Sequence, residues 1–171
     1  MIPSTPLNEA IQRRFREMPE ALRERWTEHT QALLDSFRER TGEELIGRSG
    51  DPRDDAERLF GASFVVVSHD AEPDPLLNYA NAAALDLWEM SPQKLIATPS
   101  RLTAEPVSRE AREHILAETR RKGSVSGYAG VRVSASGKRF RICDVTIWNV
   151  TDAKARPLGQ AASFAHWTML D

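Results

Sequence analysis

Residues 76–90 read LLNYANAAALDLWEM, and this stretch decides the fold. Leu76–Tyr79 has the apolar and aromatic character of a short strand, whereas Ala82–Met90 is rich in strong helix formers. Asn81 stands between them. Its short amide suits the residue before a helix, where it accepts a hydrogen bond from a free backbone N–H of the first turn. Upstream, FVVVS at 64–68 is a β-branched run that reads as a buried strand. Asp70–Pro75 is an acidic, proline-containing turn. Strand, turn, strand and capped helix therefore open a compact domain near Asp54.

Working outward, Ser91-Pro92 restarts a short helix, with serine as cap and proline at the first position. Thr98–Glu105 is irregular. Ser108–Lys122 is a strong helix, capped by Ser108 and stopped by Gly123, with Ala111, Ile115 and Leu116 on its buried face. Beyond Gly123 the apolar period changes from helical to alternating. Val125–Val133, Arg139–Val150 and Gln160–Trp167 read as three long strands, the first two joined by a turn at Ala135-Ser136-Gly137. WNVTDAKARPLGQAASFAHW, 148–167, is two antiparallel strands around a polar loop. The fold class that satisfies this order is α+β, a single antiparallel β-sheet with helices on one face, preceded by N-terminal helices.

Residues 5–42 are helical in pattern. Thr5 caps, Pro6 takes the first position, and Leu7, Ile11, Phe15 and Met18 share one face. Pro19 breaks the helix. Leu22, Trp26, Thr30, Leu33 and Phe37 continue the stripe to a C-cap at Gly42. GRSGDPR at 47–53 has linker composition. The chain therefore divides into a helical arm and linker, 1–53, and a domain, 54–171. Two uses fit the stripe: packing on the domain's own sheet, or joining two copies. The stripe is longer than one small sheet face needs, so a homodimer through Leu7, Ile11, Phe15, Leu22, Trp26, Leu33 and Phe37 is expected.

The 171 residues suffice for one full core with an appendage. A net charge of −2 sets up no global field for nucleic acid or anionic membrane, so neither is an expected partner. No apolar run approaches the ~20 residues of a spanning helix. The polar start MIPSTPLNEAIQRRF lacks a secretory segment, and the single cysteine, Cys143, cannot form an internal disulfide, so a cytoplasmic location is expected.

From Phe60 to Trp167 the chain resembles the MEKHLA domain, a PAS-related family. The segments that carry the resemblance are FVVVSHD at 64–70, NYANAAALDLWEM at 78–90 and TPSRLTAEPVSREAREHIL at 98–116. GYAGVRVSASGKRFRI at 127–142, WNVTD at 148–152 and GQAASFAHW at 159–167 complete them. The resemblance implies a PAS-like fold and a sensory role, without a known ligand or reaction. Plant members close homeodomain–leucine zipper regulators. Neither of those segments occurs here, so DNA binding does not carry over.

The candidate chemistry is sparse. His69, after the first strand, either binds a polar ligand group or caps a turn. Arg132, Lys138, Arg139 and Arg141 flank one hairpin, where they either meet an anion or form a solvated edge. His114 lies in the helix that supplies the iron ligand of haem-containing PAS domains, but its neighbours Arg112, Glu113 and Glu118 are charged, so haem is not expected. Cys143 sits mid-strand, where a buried structural thiol is the default reading, and PSRLTAE at 99–105 has no cysteine, so a flavin adduct is not expected either. The four histidines are scattered and no metal site is expected.

The leading reading is a PAS-like sensory, ligand-binding or protein-interaction module that works without catalysis. Its cofactor is undefined. Its ligand is a small, mainly apolar molecule with one polar end fixed by His69 or Arg132. Alternation offers Val67, Tyr79, Val131 and Val145, with Val65, as lining, although apolar residues on both faces of the long strands leave the inward register open. The alternative is a pocket enzyme of the nuclear-transport-factor-like kind, moving protons with His69, Asp70 and Asp144.

Overall fold

The computed structural model describes residues 6–171, with side chains from residue 9 onward. The Thr5 cap and the Leu7 side chain lie outside the described residues. The described chain runs α1 (Pro6–Arg16), α2 (Glu20–Thr41), α3 (Pro52–Phe60), β1 (Val65–His69), β2 (Leu77–Ala80) and α4 (Ala82–Trp88). It continues with α5 (Pro92–Leu95), α6 (Pro106–Lys122), β3 (Ser124–Val133), β4 (Arg139–Thr151), β5 (Pro157–Phe164) and β6 (His166–Met169). A 3₁₀ turn, Ser100–Thr103, joins α5 to α6.

The helix ends follow local chemistry. Gly42, at φ 79°, donates its N–H to the Arg38 carbonyl at 2.9 Å and ends α2 in the left-handed region that glycine enters freely. Ser91 caps α5, its side chain accepting from the Lys94 N–H at 3.2 Å. Two helices begin earlier than their serine and aspartate signals suggest. Pro52 and Pro106 each occupy a first-turn position, where a missing N–H costs nothing, so α3 starts inside the linker stretch and α6 starts after Glu105 rather than at Ser108. The buried face of α6 is Arg112, Leu116 and Thr119, spaced by four and three; Ala111 is exposed and Ile115 half-buried.

The sheet order is β2-β1-β5-β4-β3, with every pair antiparallel. The strand expected over 160–167 is β5 and β6. They are interrupted at Ala165, yet both lie along β4 in one continuous register, Thr146 opposite Ser163 and Cys143 opposite His166. Asp144 bulges out of β4 at φ 53° and is exposed.

Helices α4 to α6 cover one face of the sheet. Trp88 of α4 meets Phe140 and Phe164 edge-on, with centroids 5.2 and 6.2 Å apart. The N-terminal α2 lies across the other face. Its Phe37 packs on Trp148 at 4.9 Å and its Trp26 on Tyr79 at 5.0 Å. Ser36 bonds to the backbone of Thr151, and His29 Nε2 donates to Ser68 Oγ at 3.0 Å, because the Ser68 proton is committed to Asn78 Oδ1. In the second half of β4 both faces are therefore covered, with the adjacent Ile147 and Trp148 both buried, and there its apolar residues did not reveal an inward register.

Of the two uses open to the N-terminal stripe, the structure shows the first. Phe15, Leu22, Trp26, Leu33 and Phe37 are buried in the chain's own core, continuous with β1, β4 and β5, and Ile11 packs against it. The five buried side chains leave little surface for a second copy to meet. Among the described residues, no helix is long and apolar enough to cross a membrane, and no three acidic, histidine or cysteine side chains gather to hold a metal.

Asn81 is fully buried and does more than cap α4. Its Oδ1 accepts from Ala84 N–H at 3.2 Å and from Val66 N–H at 3.0 Å. Its Nδ2 donates to the carbonyls of Leu59 and Phe64 at 3.2 and 2.8 Å. Asn81→Ala strands four buried backbone groups, so its cost is predicted at roughly 3 kcal/mol or more rather than the ~1 kcal/mol of an ordinary cap. Urea denaturation checks this; a loss near 1 kcal/mol would reduce Asn81 to a simple cap.

A pH dependence follows from the α2 contact. Burial lowers the His29 imidazole from 6.5 to about 4. The unfolded chain then takes up a proton before the folded chain does, so stability is complete above pH 6.5 and falls as pH drops towards 4. At about 1.4 kcal/mol per unit, the loss is at most roughly 3.5 kcal/mol. His29→Gln keeps an N–H for Ser68 and should flatten this limb; parallel wild-type and variant curves across that window would refute the assignment.

Candidate functional site

Between the sheet and α4–α6 lies a cavity of about 60 Å³. Its apolar walls come from Val67, Leu77, Trp88, Leu116, Ile142, Val145, Ile147, Ala162 and Phe164. Its polar groups are His69, Thr103, Arg112, Tyr128, Arg132 and Gln160.

Strand pairing places these groups. His69 at the end of β1 stands opposite Gln160 of β5, on the face that also carries Val67 and Ala162. Tyr128 and Arg132 share the cavity face of β3. Arg132 Nη2 donates to Tyr128 Oη at 3.2 Å, Nη1 donates to the Val131 carbonyl at 2.9 Å, and the guanidinium lies 5.6 Å from the Tyr128 ring centroid. Arg112 comes from α6, one turn before Leu116. It donates to Ser100 Oγ at 3.0 Å and to Glu113 Oε1 at 3.4 Å, the latter carboxylate being largely exposed.

Both arginines are buried, Arg112 to 6% exposure and Arg132 to 7%. None of the residues lining the cavity is acidic. Burial, and next the neighbouring charge of Arg132, lower the Arg112 guanidinium to about 10, so it remains cationic at neutral pH.

His69 is held as one tautomer. Its Nδ1 lies 2.9 Å from the Asp70 carbonyl oxygen, which can only accept, so Nδ1 carries the proton and Nε2 is a bare acceptor. Burial lowers its pKa, against the Asp70 carbonyl and with the Arg112 charge, keeping the ring neutral. Gln160 Nε2 donates to the Leu116 carbonyl at 3.0 Å and to Asn149 Oδ1 at 3.1 Å, which fixes its amide and turns Oε1 into an acceptor. His69 Nε2 and Gln160 Oε1 are buried and meet no hydrogen-bond partner among the described residues.

His69, Arg132, Val67 and Val145 thus come together as lining. Tyr79 does not: it pairs with Ser68, one residue out of phase with His69 and Val67, and sits on the α2 face. Val131 does not either, because it neighbours Arg132 on the strand and alternation turns one of the two away. Arg112 and Gln160 were missed. Arg112 carried a signal, standing four residues before Leu116 on the buried stripe of α6.

The remaining candidates disperse. Lys138 pairs with Glu89 at 3.1 Å and Arg139 with Glu105 at 2.5 Å, while Arg141 is exposed. His114 is exposed on α6. Cys143 is half-buried, its Sγ 3.7 Å from the His166 carbonyl, and is not among the residues lining the cavity. The trio His69, Asp70 and Asp144 is not assembled. The Asp70 carboxylate instead accepts from the Glu72 and Leu76 N–H groups, each at 3.1 Å, and fastens the turn.

This architecture is that of the PAS and light–oxygen–voltage domains. A PAS domain of a Colwellia psychrerythraea protein aligns at 15% identity with a TM-score of 0.54, over 69% of this chain and 95% of that one. A fungal light–oxygen–voltage domain photoreceptor aligns at 18% identity and 0.54, over 82% and 90%. The light-state dimer of the fungal blue-light photoreceptor Vivid aligns at 17% and 0.53, over 78% and 90%. No curated protein matches the chain. The MEKHLA domain model matches residues 27–169, and the chain belongs to that family. The match begins within α2, the helix on the second face of the sheet.

The position of His69 depends on Gly159, which sits at φ 136° against the His69 carbonyl; a Cβ there would lie 1.8 Å from that oxygen. Gly159→Ala is predicted to force β1 and β5 apart at the cavity end and to cost several kcal/mol. Thermal unfolding measures the loss, and an unchanged midpoint would show that the strands separate freely there.

Proposed function

We propose that this protein is a sensory module whose cavity takes a small molecule by reversible binding, without turnover. The observation that carries the reading is the cavity itself, with buried His69, Arg112, Arg132 and Gln160 set into an apolar wall and two of their polar atoms unmatched. Core arginines placed only for packing would be costly: Arg132 meets no carboxylate in the cavity, and Arg112 meets only the largely exposed Glu113, at 3.4 Å. The apolar body of the ligand would lie against Val67 and Val145, with its polar end at His69 and Arg132.

A readout is available through the sheet. Ile147 lines the cavity and Trp148, the next residue, carries Phe37 of α2 on the opposite face. In this reading a ligand that shifts β4 changes the seating of α2, and α2 or a surface beside it meets the next protein.

Flavin is not part of the proposal. One solved relative is described by a flavin analogue and a light–oxygen–voltage mechanism. Here the cavity of about 60 Å³ is far below the ~300 Å³ at which drug-sized ligands are enclosed, and Cys143 stands outside it. The proton-transfer alternative loses its support because its three groups are dispersed.

Ala162 is small and lines the cavity, so Ala162→Leu is predicted to fill the space while leaving the fold intact. Thermal-shift screening of wild type against small-molecule panels should reveal stabilisation by several degrees that this variant lacks. Equal stabilisation of the two proteins would place the binding elsewhere and remove the reading.

A further inference from the structure

Resting on the reading of the cavity as a ligand site, we infer that its occupant is a small hydroxy acid: a carboxylate held by Arg112 and Arg132, with a hydroxyl donating to His69 Nε2 or Gln160 Oε1.

The argument is one of matching donors and acceptors. Arg112 and Arg132 bring two guanidinium groups to one cavity without an acidic residue in its lining. Their partners within the chain are a hydroxyl, a backbone carbonyl, a phenol and one outward carboxylate, which leaves most of ten N–H donors uncommitted. A planar carboxylate meets such forks in a charge-assisted, two-point contact. The opposite demand comes from the β1–β5 end. His69 Nε2 and Gln160 Oε1 are both bare acceptors, each fixed by a hydrogen bond elsewhere on its own side chain. Neither can be satisfied by a carboxylate, and both are satisfied by a hydroxyl hydrogen. One ligand that answers both ends carries a negative charge and an O–H donor.

Size narrows the class further. A water needs roughly 10–15 Å³ of such space, so about 60 Å³ holds about four to six non-hydrogen atoms. Glycolate and lactate lie in that range, and the methyl group of lactate suits the valine and isoleucine wall. His69 and Gln160 also border a separate cleft of about 480 Å³.

The test is calorimetric titration of the full chain in chloride buffer with lactate, propionate, propylene glycol and inorganic phosphate. Lactate is expected to bind at least tenfold more tightly than each of the others. Arg112→Met and Arg132→Met should each weaken lactate tenfold or more. His69→Phe and Gln160→Leu combined should bring the lactate-to-propionate ratio close to one. If an arginine variant does not fold, the guanidinium Nε–H resonances of Arg112 and Arg132 in the wild type decide: they shift on adding lactate, or the assignment falls. Propylene glycol binding as well as lactate would overturn the acid while leaving a ligand cavity in place. Phosphate binding more tightly than lactate would overturn the carboxylate. Propionate equal to lactate would overturn the hydroxyl. Absence of lactate binding overturns the inference, and only if Ala162→Leu also leaves every small-molecule response unchanged does the reading of the cavity fall with it.

Discussion

The side chain of Asn81 is the constraint on which the rest depends. It satisfies four backbone groups at once, from the end of α3, the entry to β1, β1 itself and the first turn of α4. Its own backbone adds a bond from its N–H to Val66 and accepts the Leu85 N–H. A cap alone would leave α4 free to pivot. Bound in this way, α4 leaves the sheet in one direction, and that direction carries Trp88 onto Phe140 and Phe164 and closes one end of the cavity. The same bonds fasten α3, whose Phe60 rests against Phe15 and Trp26. One amide therefore couples the helices on the two faces of the sheet.

Most of the architecture was legible because it is written in local signals. Asn81, Ser91-Pro92, Gly42 and Gly123 mark helix ends by their own backbone chemistry, and these hold wherever the segments finally pack. The strands from Val125 onward were legible from period two. What sequence could not decide was a tertiary choice. An apolar stripe on α2 is equally satisfied by a sheet or by a second copy, since burial rewards either. The structure shows that Trp26 and Phe37 take the sheet, and this also explains the ambiguity of β4. The second half of β4, covered on both faces, has no polar side to fix its phase. Tyr79 and Val131 were placed in the cavity for that reason and belong to the other phase.

The site itself was half visible. His69 and Arg132 drew notice as polar residues at a strand end and among alternating valines. Arg112 was read only as part of a charged neighbourhood around His114, because arginine on a helix is usually solvated. Its spacing from Leu116 and Thr119 ran against that default, and in such a conflict the periodicity was the better guide. Gln160 had no local signal. Its role arises from pairing with His69 across β1 and β5, a contact 91 positions apart in the chain.

The cavity is where buried charges and buried bare acceptors meet. Asn81 shows how the chain satisfies buried backbone groups, with four matched hydrogen bonds from one side chain; among the described residues the indole Nε1 atoms of Trp26, Trp88 and Trp148 are buried without a hydrogen-bond partner. At the cavity, two cations and two bare acceptors are buried together, and the acceptors answer neither each other nor the cations. Replacing Arg112 by leucine would suit its position on α6 better than the residue present, since Leu116 and the sheet beneath it are apolar. On the proposed reading, a ligand offsets the cost of these buried charges. The physical asymmetry of the cavity, positive on the β3–α6 side and accepting on the β1–β5 side, also gives a ligand one orientation. On the proposed reading that orientation would press on β4 at Ile147, the neighbour of Trp148, on which Phe37 of α2 packs.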